Sequence, residues 1–243
     1  MNIWAISDLH LCFSVKEKNM EIFGKNWIGY VDRVRDNWVK KIKRDDLVLV
    51  AGDISWAKNI YEAKKDLEWI DALPGKKVII KGNHDYWWPS KKKLIENLPP
   101  SISFIQNNAY NIKEISIGGT RLWNSDEYNF DEYIKYTKNP YPAELYDNKK
   151  IFSREIERLN MSLRCLDLSA KIKIIMTHFP PISGDLKDSE VSKILEKNKI
   201  DIVIFGHLHN IEKNKRLFGE KNGIKYLLTS CDYLNFDPIK IWD

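Results

Sequence analysis

The sequence has no long apolar run and few cysteines. No run approaches the roughly 20 residues that a bilayer span needs, and the first apolar stretch, Ile3–Ile6, is far too short for a signal peptide. Cys12, Cys165 and Cys231 are odd in number and show no CxxC spacing. This favours reduced thiols that pack as small buried hydrophobic residues over a disulfide framework. We therefore expect a cytoplasmic protein without a membrane segment.

The sequence also lacks a concentrated charge of one sign. It has 39 basic and 34 acidic residues, a formal net charge of +5, and this excess is spread along the chain. Such a balance mildly favours anionic substrates but does not form the basic stripe of a nucleic-acid-binding protein. The short lysine run at positions 91–93 is interpreted as a solvated helix face. At 243 residues and 43% hydrophobic residues, we expect one domain spanning residues 1–243.

Short runs rich in Ile and Val alternate with segments of helical period, which is typical of an α/β or layered α-β-β-α enzyme. The predicted strands are residues 2–7, 47–51, 77–81, 172–177, 200–205 and 224–229. Apolar residues three and four positions apart indicate three helices. Their apolar positions are Trp27, Val31, Val34, Trp38 and Ile42; Ile60, Ala63, Leu67 and Ile70, ending at Leu73; and Phe152, Ile156, Leu159, Leu163 and Leu166.

Residues 124–146 stand apart as an aromatic-rich segment without a clean period. Its aromatic residues are Tyr128, Phe130, Tyr133, Tyr136, Tyr141 and Tyr146. We interpret it as a partly irregular insertion. Long loops of this kind are often lids or binding loops, but packing against the body or an oligomer neighbour is an equal alternative.

The chain has five histidines, and each lies at or just beyond the end of a predicted strand, beside other ligand-type residues. The blocks are Ser7-Asp8-Leu9-His10, Ala51-Gly52-Asp53, Gly82-Asn83-His84-Asp85, His178, and Gly206-His207-Leu208-His209. Parallel strands deliver their carboxyl ends to one common edge, so these side chains can meet there. A single such histidine is more often structural. The whole set, rich in imidazole and carboxylate and without thiolate, indicates divalent metal ions and suits two ions better than one.

These blocks, read in order from residue 8 to residue 209, resemble the calcineurin-like metallophosphoesterase family, whose pattern is D-x-H, G-D, G-N-H-[DE], H and G-H-x-H. The resemblance implies an α/β (α+β) fold: a four-layer α-β-β-α sandwich of two mixed sheets flanked by helices, with a di-metal site at the carboxyl ends of strands. It implies two divalent ions, of Mn, Fe, Zn or Ni. The implied ligands are Asp8, His10 and His209 for the first ion, Asn83, His178 and His207 for the second, and Asp53 as the bridge.

The resemblance also implies a reaction: hydrolysis of phosphate mono- or diesters by attack of a hydroxide that bridges the metals. A carboxylate such as Asp53 has two oxygens and can hold two cations about 3.5–4 Å apart. His84 resembles the proton donor to the leaving oxygen, with a donor to the phosphate or a structural histidine as alternatives. For Asp85 we favour a structural role in capping or orienting its loop.

The match departs from protein serine/threonine phosphatases of this superfamily after Asp53. There the block continues with an acid that orients the catalytic histidine, whereas this chain reads Ile54-Ser55-Trp56. This argues against a phosphoprotein phosphatase and leaves the partner of His84 unidentified. Trp56 is expected in the core, with packing against the site as the alternative. Arg121 is the best candidate for a phosphate clamp, although a surface salt bridge is as good an interpretation.

The expected substrate is a phosphate-ester small molecule or a nucleotide. A nuclease of the same fold is the alternative enzyme, but the acids of the 124–146 insertion would repel a nucleic-acid backbone. A non-catalytic scaffold of this fold is a further alternative. Scaffolds tend to lose metal ligands, and this chain retains the full set together with His84.

Overall fold

Short runs of Ile, Val and Leu form the central strands of two stacked β-sheets in a computed structural model of the protein. The structure describes residues 1–15, 17–18, 20–135, 148–212 and 217–243. The strands are β1 (Ile3–Ile6), β2 (Leu47–Val50), β3 (Lys76–Ile79), β4 (Ile102–Phe104), β5 (Tyr110–Ile112), β6 (Ile115–Thr120), β7 (Ile172–Thr177), β8 (Ile202–Phe205), β9 (Gly219–Lys221), β10 (Ile224–Leu228) and β11 (Ile239–Trp242). The α-helices are α1 (Tyr30–Lys41), α2 (Ile60–Ala72), α3 (Lys91–Asn97), α4 (Asn148–Leu163) and α5 (Glu190–Lys197).

Both sheets are mixed. The first has the order β11-β1-β2-β3-β4, in which β1 to β4 are parallel and β11 pairs antiparallel with β1. The second has the order β5-β6-β7-β8-β10-β9, in which the four central strands are parallel and β5 and β9 pair antiparallel at the edges. The parallel strands of each sheet therefore present their carboxyl ends at one edge.

Three hydrophobic clusters divide the protein into layers. One lies between the outer face of the first sheet and α1, α2 and α3. A second lies between the outer face of the second sheet and α4 and α5. The third fills the space between the sheets with side chains such as Leu49, Val78, Ile117, Ile174 and Ile204. The predicted α-β-β-α sandwich is confirmed.

The predicted strands are found with ends shifted by one or two residues, and the first helix is shorter than predicted. Trp27 belongs to a separate 3-10 turn, Lys25–Trp27, and α1 starts only at Tyr30. Gly29 lies between them with φ 63°, a left-handed conformation that interrupts the helix. Trp27 and Trp38 are nevertheless both buried, in keeping with their place in the predicted apolar stripe.

The cysteine prediction is partly wrong. Cys231 is buried as expected, but Cys12 is half-buried and Cys165 is exposed. Cys165 lies just after the end of α4, with its side chain in solvent. The sequence alone does not show which side chains are covered at this point. All three thiols are reduced. The lysine run at 91–93 lies on the exposed face of α3, as predicted.

A buried lysine closes the end of α2. Asn59 caps the start of the helix, because its side chain accepts hydrogen bonds from the backbone N–H groups of Tyr61 and Glu62. At the other end the Lys77 ammonium, which is 1% exposed, donates to the carbonyls of Asp71 and Leu73. Burial lowers the pKa of Lys77 to about 8, although the nearby Asp71 opposes this shift.

The described part of the insertion packs on the body of the protein. The Tyr128 hydroxyl donates to the carbonyl of Pro180 (2.8 Å), and Phe130 packs on Phe218 with ring centroids 6.0 Å apart. Ile134 forms an antiparallel bridge with Ile211. Residues 136–146 of the predicted insertion lie outside the described residues. Among the helices of the described ranges, none combines the length and apolarity that a membrane span requires.

Candidate metal centre

The strand ends of both sheets meet at one edge, and every predicted ligand lies there. Asp8 and His10 follow β1, Asp53 follows β2, and Asn83 follows β3 in the first sheet. From the second sheet come the three imidazoles that follow β7 and β8, which are His178, His207 and His209. The site therefore lies across the junction between the two sheets.

The first ligand group consists of Asp8, His10 and His209. The Nε2 atoms of His10 and His209 lie 3.3 Å apart. His209 Nε2 lies 3.5 Å from Asp8 Oδ1. These three donors face one another closely enough to share a single ion, because ligand atoms about 2.0–2.2 Å from a metal lie roughly 3 Å or more from each other.

The second ligand group consists of Asn83, His178 and His207. His178 Nε2 lies 2.6 Å from Asn83 Oδ1, and His207 Nδ1 lies 3.1 Å from the same oxygen. Two imidazoles thus converge on one neutral amide oxygen. The other ring nitrogen of His178, Nδ1, lies 3.0 Å from the Ala51 carbonyl, which leaves Nε2 directed toward the group.

Asp53 lies between the two groups, and one of its carboxylate oxygens, Oδ2, faces both of them. Asp53 Oδ2 is 3.4 Å from His178 Nε2 and 3.7 Å from His10 Nε2. Its Oδ1 instead accepts a hydrogen bond from the backbone N–H of His84 (2.8 Å). The expected division of the two carboxylate oxygens between two ions differs from this geometry, in which Oδ2 alone faces both groups and Oδ1 accepts from the His84 backbone.

The electrostatics of the site favour bound positive charge. Burial opposes ionisation of Asp53, but the imidazoles of His178 and His10 outweigh it and hold the pKa of this carboxyl well below its usual range. Burial lowers the pKa of His10 and that of His207 to about 3, so both present neutral nitrogens. For His178 the Asp53 carboxylate overcomes the effect of burial and raises the pKa to about 9. Carboxylates and imidazoles without thiolate form the donor set that borderline divalent cations bind.

The local backbone is held in unusual conformations to bring these side chains together. Asp8, His10, Asp53 and His207 all have left-handed backbones, with φ of 58°, 45°, 51° and 72°. Such conformations cost energy in non-glycine residues and cluster at functional sites. At Gly82 the chain passes so close to Asp53 that a Cβ would collide with its carboxylate.

Asp85 holds two ligand loops together. Its Oδ1 accepts from the backbone N–H of Ile54 (2.8 Å) and of Ser55 (3.1 Å) and from the Trp87 indole (2.8 Å), and its Oδ2 accepts from the N–H of Gly82 (2.7 Å). Burial, with the nearby charge of Asp53, raises the pKa of Asp85 to about 6. The residue therefore ties the loop after β2 to the loop after β3, in agreement with the structural role predicted for it.

His84 and Trp56 line the rim of the site. Trp56 stacks on His10 with ring centroids 4.9 Å apart and an interplanar angle of 22°. The His84 ring lies 4.6 Å from the Trp56 ring and 5.8 Å from the His10 ring. Trp56 is partly buried and packs against the first hydrophobic cluster, as expected, as well as against the site, which was the alternative.

Arg121 makes a salt bridge with Glu155. Its Nη2 lies 3.1 Å from Glu155 Oε1, and its guanidinium lies over the Trp123 ring at 4.4 Å. Glu155 is fully buried and also receives Arg158 Nη1 at 2.7 Å. Of the two interpretations of Arg121, the geometry favours the salt bridge. The backbone carbonyl of Arg121 helps to position His178, because it accepts a hydrogen bond from the His178 N–H (3.0 Å).

Asp232 and Phe179 are among the residues that contact the predicted ligands and that sequence patterns missed. Asp232 Oδ1 lies 2.8 Å from His209 Nδ1, and Phe179 packs on His207 with centroids 3.9 Å apart. Phe179 directly follows His178, so its position beside the strand end was a usable signal. Asp232 lies in a loop after β10, where a lone acidic residue carries no spacing signature.

The sequence model of the calcineurin-like phosphoesterase family matches residues 1–210, and the chain belongs to this family. The fold is similar to that of a protein of unknown function from Aquifex aeolicus, at 19% identity and a TM-score of 0.50, with 98% of this chain and 95% of that chain covered. It is also similar to the phosphopantetheinyl hydrolase of Mycobacterium tuberculosis, at 13% identity and a TM-score of 0.52, with 99% and 95% covered. At these identities the likeness concerns the fold alone. No curated protein matches the chain at a significant level.

Proposed function

We propose that this member of the calcineurin-like phosphoesterase family is a two-metal hydrolase of phosphate esters. In this proposal the first ion is held by Asp8, His10 and His209, and the second by the group of Asn83, His178 and His207. Asp53, whose Oδ2 faces both groups, would serve both ions.

The observation that carries the proposal is the position of Asp53 Oδ2. This single oxygen lies 3.4 Å from an imidazole nitrogen of one ligand group and 3.7 Å from an imidazole nitrogen of the other. A buried carboxylate oxygen between two converging sets of donor atoms fits the bridging position of a two-metal site better than it fits a hydrogen-bonded core.

When bound, a pair of divalent ions supplies Lewis acidity toward phosphoryl oxygens and lowers the pKa of water to near neutrality. The residues of the chain set the net charge of the site and supply the proton donor. The Asp53 and Asp8 carboxylates leave the loaded site with excess positive charge, because minus two opposes plus four. That excess attracts and orients the anionic phosphate of the substrate.

His84 is proposed as the proton donor to the leaving oxygen. Its backbone is fixed by the hydrogen bond from its N–H to Asp53 Oδ1, and its ring lies at the rim, between Trp56 and Tyr86. An imidazole held beside the site can deliver a proton to an alkoxide as the ester bond breaks.

The proposed substrates are small phosphate esters or nucleotides, either mono- or diesters, acted on in the cytoplasm. The family match supports a phosphate ester as the substrate. The altered block after Asp53 supports small molecules over phosphoproteins.

The proposal is tested by comparing p-nitrophenyl phosphate with bis(p-nitrophenyl) phosphate, then nucleotides, each with added Mn²⁺, Fe²⁺, Zn²⁺ or Ni²⁺. Hydrolysis should require an added ion and should be lost in His207→Ala. The control is Asp46→Asn, which alters a buried carboxylate bound to Asn2 and Lys43, away from the ligand loops. Metal-independent hydrolysis, or hydrolysis that survives His207→Ala, would contradict the proposal.

A further inference from the structure

The loop after β10 passes directly behind the first ligand group. The backbone N–H of Ser7 donates to the Thr229 carbonyl (2.8 Å), and the N–H of Cys231 donates back to the Ser7 carbonyl (3.0 Å). The Cys231 thiol also donates to the carbonyl of Asp8 (3.0 Å). This loop is therefore fixed to the same stretch of backbone that carries Asp8.

Asp232 comes next, and its carboxylate is 5% exposed. Its Oδ1 lies 2.8 Å from His209 Nδ1, and its Oδ2 accepts from the backbone N–H of Asn210 (3.0 Å). When His209 is neutral, as a metal ligand must be, the carboxylate of Asp232 keeps the remaining ring proton on Nδ1, so the lone pair lies on Nε2. Nε2 is the atom that faces Asp8 Oδ1 at 3.5 Å.

The second ligand group is supported differently. In this group the partner of His178 Nδ1 is the neutral carbonyl of Ala51, 3.0 Å away. The partner of His209 Nδ1 is instead the charged carboxylate of Asp232. A carboxylate partner makes an imidazole a stronger ligand than a carbonyl does. The first group also contains Asp8, whereas the second has the neutral oxygen of Asn83 in the corresponding place.

We propose, on the basis of the function proposed above, that Asp232 is a positioning residue that makes the group of Asp8, His10 and His209 the tighter of two cation sites. It acts through His209 by fixing the ring orientation and the tautomer, and by adding negative charge behind the ligand. Asp232 lies beyond residue 210, where the family match ends, so the site extends past the motif blocks. The two ions then bind in order, with the first group filled first.

The test is a titration of the metal-free protein with Mn²⁺. Binding is measured by calorimetry and by the electron paramagnetic resonance signal of the free ion. The wild type should bind two ions with different affinities. Asp232→Ala should weaken the tighter ion by about 10- to 100-fold, the range for losing an outer partner of a metal-bound histidine, while the weaker ion changes little. Asp232→Asn keeps an acceptor oxygen for His209 and should recover part of the lost affinity.

Two further variants separate positioning from a merely structural role. Adding Asp232→Ala to His209→Ala should cost no further affinity, because Asp232 acts through that imidazole. The matched control is Asp46→Asn, a carboxylate that is 3% exposed and accepts backbone N–H groups in the same way. The control should bind both ions as the wild type does.

The outcomes are distinct. If the wild type binds two ions and Asp232→Ala binds them equally well, or loses both to the same extent, this inference fails while the proposed function stands. Additive losses in the double variant would also overturn it, since they would show an effect that does not pass through His209. A wild type that binds no ions would overturn the inference and the proposed function together.

Discussion

Replacing Asp53 by Asn is the sharpest test of the two-metal arrangement. The amide keeps an oxygen that can accept from the His84 N–H, so the loop geometry should survive. It removes the charge of the one oxygen that faces both ligand groups. Loss of an outer partner of a metal-bound histidine costs 10- to 100-fold in affinity, so loss of a shared charged ligand should cost at least about 100-fold for each ion. That is about 2.7 kcal/mol per ion, or roughly 5 kcal/mol for two.

The assay is thermal unfolding with and without saturating Mn²⁺, combined with metal analysis of the dialysed protein. A stabilisation of about 5 kcal/mol corresponds to roughly 10–20 °C in Tm for a chain of this size, and Asp53→Asn should lose this metal-dependent increase. The metal-free Tm should change little, and turnover should be abolished. If Asp53→Asn retains two ions and wild-type hydrolysis, the assignment of the bridge is wrong.

Three further outcomes are expected. His84→Ala should keep both ions but lower kcat by roughly 10²–10⁴ for esters with poor leaving groups, and less for p-nitrophenyl esters; an equal effect across leaving groups would exclude the acid role. Gly82→Ala places a methyl group against the Asp53 carboxylate, so metal content should fall together with Tm, and a variant with normal metal content would show that the loop can shift. Lys77→Met removes a buried ammonium whose pKa is lowered from 10.5 to about 8. The unfolded chain binds more protons than the folded one between those pH values, so the wild type should gain up to about 3 kcal/mol over the variant as pH rises through that window, measured by urea unfolding; parallel pH profiles would contradict this.

Much of the architecture was predictable because burial on both faces leaves a plain signal, although β6 is buried throughout and was not among the predicted strands. The four residues of β2 and the four of β8 are all fully or nearly fully buried, and they are read from the sequence as continuous apolar runs. Edge strands such as β5 and β9 are three residues long and half exposed, so they have no such pattern. The start of α1 was misplaced because helical spacing continues across Gly29, whose left-handed backbone is invisible to periodicity.

The candidate site was also predictable in part. Ligand-type residues directly after strands were predictable, since the position of a strand end places them at one edge. The contact of Asp232 with His209 was not, because it depends on how the loop after β10 crosses behind β1. The use of a single Asp53 oxygen was not predictable either, because it depends on a hydrogen bond from the His84 backbone.

The placement of the site across two sheets has a consequence for biosynthesis. Asp8, His10, Asp53 and Asn83 emerge from the ribosome with the first sheet, and His178, His207 and His209 emerge only with the second. A nascent chain therefore carries half a set of donors until β8 has been made, and β11 adds the outer strand beside β1 last of all. Neither predicted ligand group is therefore complete until the second sheet has been synthesised.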